Sequence, residues 1–213
     1  MARIGWDEWM EPVDLALCLA VDVSASVDFG EFGLMVGGLA AAFREERIQQ
    51  AIAAGPRGAI AVAVLFWSSA QEVAVPWMRV ADAASARALA DGIESSPRLP
   101  SAGATALGPG MAAGLALLGR FEPQADRLVM DVSGDGRHNL GRAPGPVRDI
   151  GVAAGITING LAVLNEEQDL LAHYEAEVIG GPGAFAMSCA DYADFADAIQ
   201  RKLFREIRGG AIV

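Results

Sequence analysis

A chain of 213 residues fits one α/β domain better than two, and it can bury a sizeable core without disulfides. Apolar residues make up 53% of it, enough to fill both faces of a covered sheet. A formal net charge of -11 argues against nucleic-acid backbones and anionic membranes as partners.

The first residues, 1–11, carry Asp7, Glu8 and Glu11 and lack the basic-then-apolar order of a secretory signal. As the sequence stands it reads as cytoplasmic, or as periplasmic or secreted if a signal peptide was trimmed. No run of ~18 uncharged apolar residues exists, so no membrane insertion is expected. Trp67 and Trp77 read as packing residues; Trp6 and Trp9 in this stretch read as packing residues that cover the sheet edge or else as part of an interface.

Residues 13–23 form an apolar run broken by Asp14 and Asp22, and predict a buried first strand. Cys18 lies inside it and reads as a core thiol; Cys189 is too distant to make a disulfide framework or zinc site with it. Phe29, Phe32, Val36, Leu39 and Phe43 then recur at three- and four-residue steps, which predicts one helix reaching about residue 54. The turn Gly55-Pro56-Arg57-Gly58 leads into a second buried strand over 59–67. A tight connection at 68–70 leads to a third strand over 71–80, and Pro76 marks that strand as an edge. Residues 82–93 predict a helix and 95–103 a Pro/Ser/Gly loop. Residues 107–118 also read as a helix, although their glycines give it poor intrinsic propensity. A fourth strand over 127–132 ends in Ser133-Gly134-Asp135-Gly136. Short helices over 147–154 and 169–177 flank a fifth strand over 156–164; a last strand follows at 184–187. Phe195, Ile199, Leu203 and Ile207 stripe the final helix, which Gly209 stops.

Alternating strands and helices imply a doubly wound, mostly parallel six-stranded sheet covered on both faces. The expected strand order is 3-2-1-4-5-6, with the third strand antiparallel at one edge. No repeat or linker divides residues 1–213.

In such a sheet, ligands bind beyond the carboxyl ends of the strands. The first strand ends there in Asp22-Val23-Ser24-Ala25-Ser26, offering one carboxylate and two hydroxyls. Hard oxygen donors suit Mg²⁺, Mn²⁺ or Ca²⁺ rather than zinc or copper. Ser26 also reads as a helix cap. Thr105, in Gly103-Ala104-Thr105-Ala106, opens a helix and has the same two readings. Asp135 follows the strand expected beside the first, as a site residue or a turn aspartate.

Taken together, Asp22, Ser24, Ser26, Thr105 and Asp135 resemble the metal-ion-dependent adhesion site of von Willebrand factor A domains. The resemblance covers nearly the whole chain. Val132-Ser133-Gly134-Asp135-Gly136, Ile156-Thr157-Ile158-Asn159-Gly160-Leu161 and Val178-Ile179-Gly180-Gly181-Pro182-Gly183-Ala184-Phe185 look like a bacterial branch of that superfamily with no assigned function. Ala25 and Ala104 stand where many members have glycine, and Gly134 stands where a hydroxyl residue is more usual. The resemblance implies a protein-binding module whose metal, Mg²⁺ or else Mn²⁺ or Ca²⁺, takes an Asp or Glu carboxylate from a partner protein. Self-association stays open.

Lys202 is the only lysine, and it lies in the last helix, which excludes a P-loop and argues against a receiver domain. Ser24 stands where a haloacid-dehalogenase-like phosphatase needs its second aspartate, and no G-x-S-x-G elbow is present. Gly108-Pro109-Gly110-Met111-Ala112-Ala113 mimics a dinucleotide fingerprint but follows a loop instead of a strand. Asp131, Ser133, Arg137, His138 and Asn139 surround the third site segment. Two other readings remain: a metal-assisted hydrolase using Asp135 and His138, and a purely structural metal.

Overall fold

The computed structural model describes residues 10–209. Trp6 and Trp9 lie outside the described residues. Six strands form one sheet: β1 (Leu15–Asp22), β2 (Ile60–Trp67), β3 (Gln71–Val80), β4 (Leu128–Gly134), β5 (Ile156–Val163) and β6 (Ala186–Cys189). Their order is β3-β2-β1-β4-β5-β6, and only the β2–β3 pair is antiparallel. This is the expected topology.

Seven α-helices cover the sheet: α1 (Phe29–Arg44), α2 (Glu46–Ala53), α3 (Ala83–Glu94), α4 (Leu107–Leu118), α5 (Pro144–Ala153), α6 (Leu170–His173) and α7 (Phe195–Ile207). A π-helical turn, Tyr174–Val178, prolongs α6. The alternation along β1 sorts the two faces. Leu15, Leu17, Leu19 and Val21 pack with Leu39, Phe43, Leu89 and Leu203 of α1, α3 and α7. Ala16, Cys18 and Ala20 pack with Met111 and Leu118 of α4 and with Tyr174. The small side chains on that second face let α4 come close. A Cβ on Gly110 would lie 2.7 Å from Trp67, and one on Gly114 would lie 2.6 Å from the Met130 sulfur. The glycines that weaken α4 as a helix are thus the ones that let it seat on the sheet.

Several boundaries differ from the sequence reading. The single helix expected to reach residue 54 breaks at Glu45, whose backbone is extended. At 100° per residue, an unbroken helix would turn Ile48 and Ile52 roughly 140° and 180° away from Phe43. The break returns both isoleucines to the core, where they are buried. Phe29, expected in the core stripe, is 81% exposed. β4 runs on through Ser133 and Gly134, which were expected in a loop. α5 starts at Pro144, whose missing N–H costs nothing in a first turn. β6 lies two residues later than expected. Pro76 sits on the edge strand as expected. It falls between the Val64↔Val75 and Val62↔Met78 pairs, in an irregular stretch of the ladder.

A polar cluster interrupts the face under α7. Lys202 is fully buried, with its Nζ 2.7 Å from Asp131 Oδ2 and 2.7 Å from Glu206 Oε1. Asn159 donates to Glu206 Oε1 at 2.8 Å, and its own Oδ1 accepts from the Phe185 amide. Burial and the nearby Asp131 raise the Glu206 carboxyl from 4.5 to about 7. The folded state therefore binds this proton more tightly than the unfolded chain. The associated stability is complete below about pH 4.5 and is lost as pH rises through about 7. Glu206→Gln keeps the acceptor but cannot ionise. Its melting temperature relative to wild type is expected to climb between pH 5 and pH 8. A gap that stays constant across that range would show that Glu206 keeps one protonation state.

Candidate metal centre

The strand order reverses between β1 and β4, so the loops leaving these two strands diverge and open a crevice. Asp22 ends β1 and is fully buried. Its Oδ1 accepts the Ser24 amide at 2.7 Å, which folds the loop back over the strand end. The Ser24 and Ser26 hydroxyls lie 3.1 Å apart. The Ser26 hydroxyl donates to Asp135 Oδ1 at 2.7 Å, joining residues 109 positions apart. The Ala25 amide donates to the Gly103 carbonyl at 2.8 Å, which ties on the loop that bears Thr105. Thr105 Oγ1 lies 3.7 Å from where a Cβ on Gly136 would sit, beside Asp135. The structure therefore brings Asp22, Ser24, Ser26, Thr105 and Asp135 together.

The local capping alternatives do not hold. α1 is capped by Asp28, which forms a reciprocal box with Glu31, and not by Ser26. α4 starts from Ala106 with no side-chain cap, so Thr105 does not cap it. Asp135 Oδ1 accepts from a serine 109 positions away, which a turn aspartate alone would not do. Two hydroxyls and a carboxylate are thereby left for the crevice.

Electrostatics give the crevice its character. Asp22 Oδ2 and Asp135 Oδ2 are both buried without a hydrogen-bond partner. Burial, then repulsion from Asp135, raises the Asp22 carboxyl to about 8. Burial also raises Asp135, against the lowering effect of the Ser26 hydroxyl. Two desolvated carboxyl groups with free oxygens, flanked by three hydroxyls, form a donor set that a hard divalent cation fits, the cation displacing the proton that burial favours on Asp22. Among the described residues, no group of three or more His, Cys, Asp or Glu is placed to hold a metal. The hydroxyls are therefore essential to that fit.

The other residues near the third segment have separate duties. Asp131 faces Lys202 across the core and does not reach the crevice. Ser133 lies 3.5 Å from Asp131. Asn139 accepts the Thr105 amide at 2.8 Å and steadies that loop. Arg137 pairs with Glu167 and Asp169. His138 Nδ1 is buried with no hydrogen-bond partner.

Three contributors escaped the sequence reading. Arg98 donates to the carbonyls of Val23, Ser24 and Val27 and lies over Phe29 and Phe32, so it clamps the β1–α1 loop. It is the sole basic residue in the Pro/Ser/Gly loop, which was the available signal. The chain has 2 tyrosines, Tyr174 and Tyr192. Both hydroxyls are buried with no partner at strict hydrogen-bond geometry, although that of Tyr192 lies close enough to Asp135 to lower its carboxyl, and both titrate far above the usual range because of burial and the nearby Asp22 and Asp135.

Residues 12–211 match the model of the family described as "Protein of unknown function (DUF1194)". The chain belongs to this family. No curated protein matches this DUF1194 member. Its fold is that of von Willebrand factor A domains. The von Willebrand factor type A structure from Catenulispora acidiphila is similar with a TM-score of 0.65 and 15% identity, over 92% of this chain and 43% of that one. Proximal thread matrix protein 1 from the mussel byssus, with a zinc-occupied MIDAS motif, is similar with a TM-score of 0.64 and 13% identity, over 93% and 48%. The pilus adhesin SpaC from Lactobacillus rhamnosus GG is similar with a TM-score of 0.61 and 15% identity, over 93% and 31%. The DUF1194 chain spans less than half the length of each. No helix among its described residues is long and apolar enough to cross a membrane.

Proposed function

We propose that this protein is a divalent-metal-dependent protein-binding module of the adhesion or scaffold type. The cation, Mg²⁺ or else Mn²⁺ or Ca²⁺, is held by Ser24, Ser26 and Thr105, with Asp22 and Asp135 contributing directly or through water. The observation that carries this reading is the pair of buried, unpartnered oxygens, Asp22 Oδ2 and Asp135 Oδ2, beside three hydroxyls that cap nothing. Neutral hydroxyl ligands leave the ion much of its positive charge. A partner's Asp or Glu carboxylate fills the remaining position, and the helix N-termini at the crevice favour the same anion. The zinc-occupied MIDAS of the mussel protein supports a divalent ion at a site of this kind.

The surroundings favour a protein partner over a small anion. Phe29, Leu99 and Leu140 are 81%, 48% and 44% exposed. Each belongs to one of the three segments that supply the site, so the loops that carry the charged centre also carry exposed apolar side chains of the kind found at recognition surfaces. At a formal charge of -11 the protein repels an acidic partner at long range. Screening over ~8 Å at physiological salt leaves the ion's short-range attraction in control at contact.

The test is capture of partners from the native host with Mg²⁺ and with chelator, using wild type and Thr105→Ala. Thr105→Ala is expected to capture at least about tenfold less partner; because Thr105 is buried, both proteins are also melted in EDTA, so that loss of capture is separated from loss of fold. If chelator and Thr105→Ala both leave capture intact, recognition lies elsewhere and the metal is structural.

A further inference from the structure

Gly134 and Gly160 are glycines inside adjacent central strands, where glycine weakens a sheet and calls for a reason. The reason at both is Tyr174. A Cβ on Gly160 would lie 2.5 Å from Tyr174 Cδ1 and 3.3 Å from its Cε1, so that glycine opens the slot for the ring. A Cβ on Gly134 would lie 2.9 Å from the Tyr174 hydroxyl, 2.9 Å from Asp22 Oδ2 and 3.1 Å from Asp22 Cβ. The hydroxyl and the carboxylate oxygen thus border the same small space, from which the side chain of residue 134 has been removed. Both are buried, and both lack a hydrogen-bond partner. Ile179 lines the slot as well, with its Cγ2 3.4 Å from the same point on Gly160. Tyr174 opens the π-helical turn, closed by the Ile179 amide on the Tyr174 carbonyl at 3.0 Å. Such single π turns occur often at functional sites.

These contacts unite the three segments that set this sequence apart within its superfamily. The first contributes Gly134, the second Gly160 and the third Ile179, and all three meet at one side chain from a fourth element. They also account for the departure at position 134, where a hydroxyl residue is more usual.

We propose that Tyr174 is a positioning residue of the metal centre: its hydroxyl, arriving from the end of α6, takes the place of the hydroxyl absent at residue 134 and holds Asp22 Oδ2 in the cation-bound state. This rests on the metal reading above. The phenol fixes the orientation of the carboxylate while leaving the ion to the serines and Thr105. Removing an outer partner of a metal-site carboxylate weakens binding roughly 10- to 100-fold.

The experiment is calorimetric titration of Mg²⁺ into wild type and Tyr174→Phe, with each protein also melted in EDTA. Phenylalanine keeps the ring in its slot. Tyr174→Phe is expected to bind Mg²⁺ roughly 10- to 100-fold more weakly while melting in EDTA close to wild type. Equal affinity in wild type and Tyr174→Phe overturns the role of Tyr174 and leaves the metal reading standing. Absence of Mg²⁺, Mn²⁺ and Ca²⁺ binding in wild type overturns the metal reading and this inference with it.

Discussion

Lys202→Ala is expected to cost about 3–5 kcal/mol of stability, the usual penalty for stripping one partner from a buried ionic cluster. In a domain of this size that lowers the melting temperature by on the order of 10 °C. Among the described residues, Lys202 is the cation paired with Asp131 and Glu206, at 2.7 Å each, and all three side chains are shielded from water. Without it, one acid must take up a proton or the two must repel each other in a dry core. The opposite outcome is expected when the whole cluster is neutralised together. Lys202→Met with Asp131→Leu and Glu206→Gln should recover most of the loss, because packed apolar groups replace a buried ionic cluster at little cost. Urea unfolding of the two variants beside wild type provides the measurement. A single variant within ~1 kcal/mol of wild type would rule out an ion pair of this kind.

The second large effect belongs to the crevice. Asp22→Asn keeps an acceptor for the Ser24 amide and removes the ionisable group. In chelator this variant is expected to melt within a few degrees of wild type, because burial and Asp135 already hold the Asp22 carboxyl largely protonated at neutral pH. With Mg²⁺ the two should separate. A ligand at 100 times its Kd stabilises the wild type by about 2.7 kcal/mol. The Asp22→Asn variant gains nothing, and its calorimetric signal should vanish. Melting curves of both proteins in EDTA and in Mg²⁺ give all four values. If Mg²⁺ shifts Asp22→Asn as much as wild type, the ion is bound elsewhere.

The fold was legible because its signals are long and repeated. β1 and β2 are uniformly apolar, helices alternate with strands, and Pro76 marks the edge. What could not be read depended on contacts between distant segments. The break at Glu45 is needed only because Ile48 and Ile52 must face the same core as Phe43. Phe29 has the spacing of a core residue, but it sits at the first turn of α1, beyond the sheet. The five residues brought together at the crevice were found because their order and spacing follow a known pattern. Tyr174, Tyr192 and Arg98 follow no spacing rule and reach the site through packing alone. Two tyrosines among 213 residues was a compositional hint, and it could be interpreted only once Gly134 and Gly160 were placed around one of them.

The irregular ladder at Pro76 also governs how this molecule behaves in a crowd. Proline offers no amide to an incoming backbone, and the register shifts between Val62 and Leu65 bend the rim of the sheet away from a straight template. The opposite rim, β6, is four residues long. Among the described residues both borders of the sheet thus carry features that discourage edge-to-edge pairing with a second chain.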